Sequence, residues 1–128
     1  MRADIKQYNE GLNEFRALAD ELYLLLESLS NTFEVKIWHN TVVFFDDKNP
    51  LYGYSLKKKG LELMFWSGKD FLLDQLRPTG SFKAAVIDFK ASDKLPVELI
   101  EKLVECAKTT QYDYKNIIKN KGVLNRLK

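Results

Sequence analysis

Ile5, Tyr8, Leu12, Phe15, Ala19, Leu22, Leu26 and Leu29 follow one another in alternating steps of three and four. Only an α-helix places such positions on one side, so residues 4 to about 30 are expected to be helical with a continuous apolar seam. Leu18 and Leu25 widen the stripe, which suits a helix lying on a sheet better than a bare coiled coil. Gly11 is the weak point, where a short first helix can split off. Ser30 and Asn31 supply the stop.

The period changes to two at residue 35. Lys36-Ile37-Trp38 and Thr41 to Phe45 are β-branched and aromatic, as strands prefer. Asp46 to Pro50 reads as a turn. Leu51 to Lys57 and Leu61 to Trp66 are two further strands, joined by a hairpin at Lys58-Lys59-Gly60 whose glycine takes the positive φ. Alternation puts Tyr52, Tyr54 and Leu56 on one face, and Leu51, Gly53 and Ser55 on the other. A short helix is expected from Asp70 to Leu76, ended by Pro78. Ala84 to Lys90 is the last strand, with Ala85, Ile87 and Phe89 inward. Pro96 opens a C-terminal helix with Val97, Leu99, Ile100, Leu103, Val104 and Ala107 as its buried stripe. Helix resumes around Tyr112 to Lys119, and Gly122 breaks it.

Helices at the chain ends around strands joined by hairpins predict an α+β class: one antiparallel sheet of about five strands, with a long N-terminal helix and a C-terminal helix on one face. With 128 residues, a single domain spanning 1–128 is expected, ending in a basic tail at about 120–128 that frays. One Cys excludes an internal disulfide and fits a reducing compartment. No apolar run reaches the roughly 18 residues a bilayer span needs, and the opening residues carry no apolar leader. The expectation is therefore a cytoplasmic domain without a membrane role. A net charge of +2 gives no reason to expect nucleic acid. The charge is uneven: residues 1–34 hold three basic and seven acidic residues, and residues 109–128 hold five basic and one acidic.

Several stretches carry a likeness to a known family. Val35-Lys36-Ile37-Trp38-His39-Asn40-Thr41-Val42-Val43-Phe44 resembles the aromatic strand signature of the YdhG-like domains of unknown function, which are small bacterial proteins. Gly60 to Gly68, Ala85 to Phe89 and Leu95 to Ile100 run parallel to it, and the likeness covers roughly residues 10–110. Asn40 stands where the family usually has Gly, and Val42 where it has Pro. The resemblance implies a domain with no assigned activity. Some members are described as frataxin-like iron chaperones, which would make iron the alternative cofactor; otherwise none is expected.

Single residues offer little chemistry. His39 is the lone histidine and has no ligand partner at HxH or HxxxH spacing. One His and one Cys cannot make a usual zinc set, and Cys106 reads as a small apolar packer. No glycine pattern of a nucleophile elbow or a phosphate loop occurs, so no enzyme is expected. Lys57-Lys58-Lys59 and the basic tail (Lys115, Lys119, Lys121, Arg126, Lys128) read as solvated and edge-protecting charge.

Two constellations remain. Glu14, Asp20, Glu21 and Glu27 fall on the solvent side of the first helix, where carboxylate oxygens suit a weakly held ferrous ion. Glu98, Glu101 and Glu105 align likewise on the C-terminal helix, diluted by Lys102 and Lys108. The aromatic set is richer than a small core demands. Trp38, Tyr52, Tyr54, Met64 and Trp66 are expected to form an aromatic surface or pocket. Its occupant is a small molecule or a protein partner, including a second copy of the chain. Trp66, sharing its face with Glu62 and Met64, is expected to be half exposed. The reading is a non-enzymatic binding domain, with the iron chaperone as the alternative.

Overall fold

Gly11 divides the apolar seam. In the computed structural model, which describes residues 1–128, α1 spans Ala3–Glu10 and α2 spans Arg16–Leu29, joined through a 3-10 turn at Asn13–Phe15. The single helix expected over 4–30 is thus broken. The amide of Gly11 closes the last turn of α1 on the Tyr8 carbonyl (3.1 Å), and Asn13 takes a φ of +56°. The seam still works as one surface, because Ile5, Leu12, Ala19, Leu22 and Leu26 are all buried in the same core.

Four strands then form a meander: β1 Glu34–Trp38, β2 Thr41–Asp46, β3 Asn49–Lys57 and β4 Gly60–Phe65. Its first two turns have only two residues each, His39-Asn40 and Asp47-Lys48, all four with positive φ. That geometry matches the right-handed twist of the strands it joins, and Asn and Asp adopt it at low cost. The five-residue turn expected at 46–50 is therefore shorter, and Asn49 and Pro50 belong to β3. Gly60 has a φ of +127°, and a Cβ there would come within 2.2 Å of the Phe89 carbonyl oxygen, so the third turn admits no other residue without rearrangement.

After β4 the chain makes a 3-10 turn, Gly68–Phe71, which ends at Leu72 in the left-handed region. The helix expected from Asp70 to Leu76 does not form, and Arg77–Pro78 is instead a short edge strand, β5. β6 (Ala85–Phe89) and α3 (Val97–Thr109) complete the fold. The six strands lie in the order β1-β2-β3-β4-β6-β5, all neighbours antiparallel. The architecture is α+β, with the helices on one face of one sheet, as expected; β5 is the added strand.

The main core lies between that face and the helices. Val42, Phe44, Tyr52, Tyr54, Leu61, Leu63, Phe65, Ala85 and Phe89 meet Leu22 and Leu26 of α2 and Ile100, Leu103, Val104 and Ala107 of α3. Val97, placed in the α3 stripe by its spacing, is exposed. Leu51 joins this core although alternation assigns it to the opposite face. It is the extra residue of a bulge between the Phe44–Tyr52 and Phe45–Pro50 pairs. One polar link crosses the layer: the Tyr54 hydroxyl donates to Asn9 Oδ1 (2.8 Å), and Asn9 Nδ2 donates to Asp20 Oδ1 (2.9 Å). Asn9 is fully buried, so this chain of bonds ties α1, α2 and β3 at a point where water cannot substitute.

No helix forms over Tyr112 to Lys119. Residues 111–128 make turns and close on themselves through a bridge between Tyr112 and Arg126. The basic end, expected to fray, folds back so that the amides of Leu127 and Asp113 donate to the carbonyls of Gln111 (2.8 Å) and Asn125 (2.7 Å).

Leu22 is completely buried on the α2 seam. Leu22→Ala is expected to lower the unfolding free energy by about 2–5 kcal/mol, the usual combined cost of lost transfer energy and a cavity. Chemical denaturation measures it.

Candidate functional site

The sheet face turned away from the helices has no helix to cover it. Register places Lys36, Val43, Gly53, Met64 and Val86 in one row across this face. Val43 and Phe45 of β2 and Trp66 beyond β4 form a second, smaller core there, with Met64 and Tyr114 packed against it.

Its cover is the segment after α3. Asn49 is almost fully buried and grips that segment twice: its Nδ2 donates to the Tyr112 carbonyl (2.9 Å), and its Oδ1 accepts from the Lys115 amide (3.0 Å). The Tyr112 amide donates to Ser67 Oγ (3.2 Å). The Tyr114 hydroxyl donates to the Trp66 carbonyl (2.6 Å) and accepts from the Lys83 amide (3.0 Å). Gln111 Nε2 donates to Asp46 Oδ2 (3.0 Å). Tyr112 also donates its hydroxyl to Asp70, which Lys83 approaches at 3.2 Å. These two partners hold the Asp70 carboxyl below the usual carboxylate range, the tyrosine hydroxyl contributing most. Burial pushes the Tyr114 hydroxyl up.

Between this strap and the β1–β2 corner lies a groove of about 330 Å³. Trp38, Phe45 and Pro50 form its sheet side, and Tyr114, Ile117 and Ile118 its strap side. Trp38 stands edge-on to Phe45, with ring centroids 5.8 Å apart, and lies 6.5 Å from Trp66. Trp38 is 42% exposed and Ile118 is 91% exposed, so both flank the groove without being sealed into a core. Lys36, Lys48 and Lys115 supply the remaining lining. Four other hollows are larger: two of about 530 and 540 Å³ are lined more by polar side chains, one by Arg2, Glu27 and Glu34 among others, the other by Lys57, Lys58, Lys59 and Lys90, and two of about 410 and 440 Å³ mix leucines with charged side chains and hold no aromatic ring.

The expected aromatic surface is therefore divided. Trp38, Met64 and Trp66 share the open face, whereas Tyr52 and Tyr54 are fully buried under the helices. Tyr52 shares a hydrogen bond with Ser30, and burial raises its hydroxyl to about 12; Tyr54 is raised further by the same cause. Trp66 is only 9% exposed, because Tyr114 and the strap cover it, which corrects the half-exposed placement. Pro50, Tyr114, Ile117 and Ile118 were not visible as site residues. The apolar triplet of Tyr114, Ile117 and Ile118 fitted a helical stripe, and nothing local tied it to β2.

The acidic ridge does not converge. Asp20 is held by Asn9, and Glu27 accepts from the Tyr23 hydroxyl (2.7 Å). Glu14 lies in the 3-10 turn, outside α2, and Glu21 points to solvent. No three His, Cys, Asp or Glu side chains anywhere in the chain are grouped as a metal-binding set. His39 lies edge-on to Trp38 (4.5 Å), and Cys106 is a half-buried free thiol on α3.

No protein-family model matches the chain, and no curated protein matches it. Among solved structures, a crystal structure of a protein from the DUF1801 family, YdhG of Bacillus subtilis, matches with a TM-score of 0.61 and 17% identity. The alignment covers 94% of each chain. The chain has the YdhG fold. At that identity the likeness extends to the fold alone, and it lends no support to a frataxin-like chaperone. No helix is long and apolar enough to cross a membrane.

Asn49→Ala is expected to destabilise the strap by about 1–3 kcal/mol, since it orphans the Tyr112 carbonyl and the Lys115 amide. The Trp66 emission should shift red as water reaches the ring, while far-ultraviolet circular dichroism is retained. Asp70 gives the pH counterpart. A depressed carboxyl stabilises the fold above its unfolded value, near 4, and loses that contribution as pH falls through the lower folded value. Wild type should therefore exceed Asp70→Asn in thermal stability at neutral pH, with the gap narrowing below about pH 4.

Proposed function

We propose that this protein is a non-catalytic binding module whose groove receives the flat apolar body of a small molecule. The observation that supports the reading is the pairing of an aromatic wall, Trp38 and Phe45, with an apolar strap wall, Ile117 and Ile118, across one concavity. Elsewhere on this face, Val43, Val86 and Trp66 are buried. An aromatic wall facing an apolar wall across one concavity matches the usual construction of a small-molecule site. The aromatic rings offer stacking, and their geometry is set by the sheet, so little ordering is needed on binding. Iron carriage by Glu14, Asp20, Glu21 and Glu27 has no convergent oxygens behind it and is the weaker reading.

Fluorescence titration with 1-naphthaleneacetamide, an uncharged flat aromatic, tests this. Saturable quenching of tryptophan emission is expected in the wild type. Ile118→Asp, at a side chain too exposed to matter for folding, should weaken binding at least about tenfold, equivalent to about 1.4 kcal/mol. Absence of saturable binding by this amide, by the neutral amides of indole and phenyl acids and by their parent acids would overturn the reading.

A further inference from the structure

Three lysines, contributed by three separate parts of the chain, line the same apolar groove: Lys36 from β1, Lys48 from the β2–β3 turn and Lys115 from the strap. No carboxylate shares the lining with them. Lys36 extends over the Phe45 ring, with Nζ 5.7 Å from the centroid, which places its charge beside the aromatic wall. Its ion pair with Glu34 (3.4 Å) is open to solvent, and Lys115, whose Nζ donates to the Asp47 carbonyl (3.1 Å), pairs at 3.7 Å with an Asp47 carboxylate that is itself exposed. Such pairs contribute little in water, so a ligand can replace the carboxylates at small cost. Lys48 takes part in no ion pair. Of the other acids nearby, Asp46 already accepts from Gln111 and faces Lys128 (3.8 Å), and Asp113 accepts from Asn116 (3.0 Å).

Like charges gathered around a low-dielectric concavity repel one another and focus a positive potential into it. An uncharged ligand would leave that repulsion in place; an anion would relieve it. We propose that the ligand of the groove is an organic carboxylate, its flat apolar body between Trp38 and Ile118 and its acid group among Lys36, Lys48 and Lys115. The inference rests on the small-molecule reading above and adds the charge class of the ligand.

A matched pair of probes separates the two. 1-Naphthaleneacetate and 1-naphthaleneacetamide share their apolar body and differ in charge. At about 0.05 M salt, where the Debye length exceeds about 10 Å, the acid is expected to bind at least tenfold tighter. Raising salt to about 0.5 M should erase most of that preference and leave the amide unchanged. The Lys36→Gln, Lys48→Gln, Lys115→Gln triple variant should bring the acid to the affinity of the amide, and the corresponding triple Arg variant should keep the preference. Equal affinities in the wild type overturn this inference and leave the binding reading standing. A preference for the acid that survives the Gln variant also overturns it, because the anion then sits elsewhere. Failure of both probes to bind overturns the inference together with the reading beneath it.

Discussion

All three helices pack on one face of a six-stranded sheet, and everything on the other face follows from that one-sidedness. An open antiparallel sheet tolerates a wet second face when that face is polar. Here it carries Val43, Phe45, Val86 and Trp66, which must be shielded. The segment after α3, residues 111–128, does the shielding as irregular backbone. Irregular backbone brings unpaired amides and carbonyls, so partners must be supplied by side chains. Asn49, Ser67 and Tyr114 supply them. The groove is what remains where this strap stops short of the β1–β2 corner.

The same economy explains how the aromatic residues are divided. Tyr52 and Tyr54 enter the main core because their hydroxyls find Ser30 and Asn9. Trp38, at a strand end beside a two-residue turn, meets Phe45, Trp66 and His39 and leaves its remaining surface to water. Aromatic residues with a satisfied polar tip bury well; those without a covering element become surface. An open aromatic edge is thus left at the corner where the cover of the second face runs out.

The helical seam from Ile5 to Leu29 and the stripe from Leu99 to Ala107 were readable because each depends on the backbone period alone. The Lys57–Gly60 turn was readable from its glycine. The turns at His39-Asn40 and Asp47-Lys48 were harder, since neither holds a glycine; both were resolved by pairing across the hairpins. The bulge that redirects Leu51 is invisible to alternation, which assumes one residue opposite one. Tyr52 and Tyr54 were placed on a common face correctly but assigned to the site, because alternation separates two faces without saying which lies under the helices.

Sequence by itself determined the periods, and with them the element types, the α+β class and the sharing of faces, since those are properties of φ, ψ and side-chain direction within a few residues. Only the tertiary structure decided which face is covered, by what, and where a concavity is left. Those outcomes depend on bonds such as Asn49 to Tyr112 and Gln111 to Asp46, between residues more than sixty positions apart. Contacts of that range leave no periodic trace, because each is made by one pair of side chains whose spacing along the chain is arbitrary. The lysines of the groove show the same thing: hairpin pairing places Lys36 and Lys48, and the fold of the strap adds Lys115 to the lining they share.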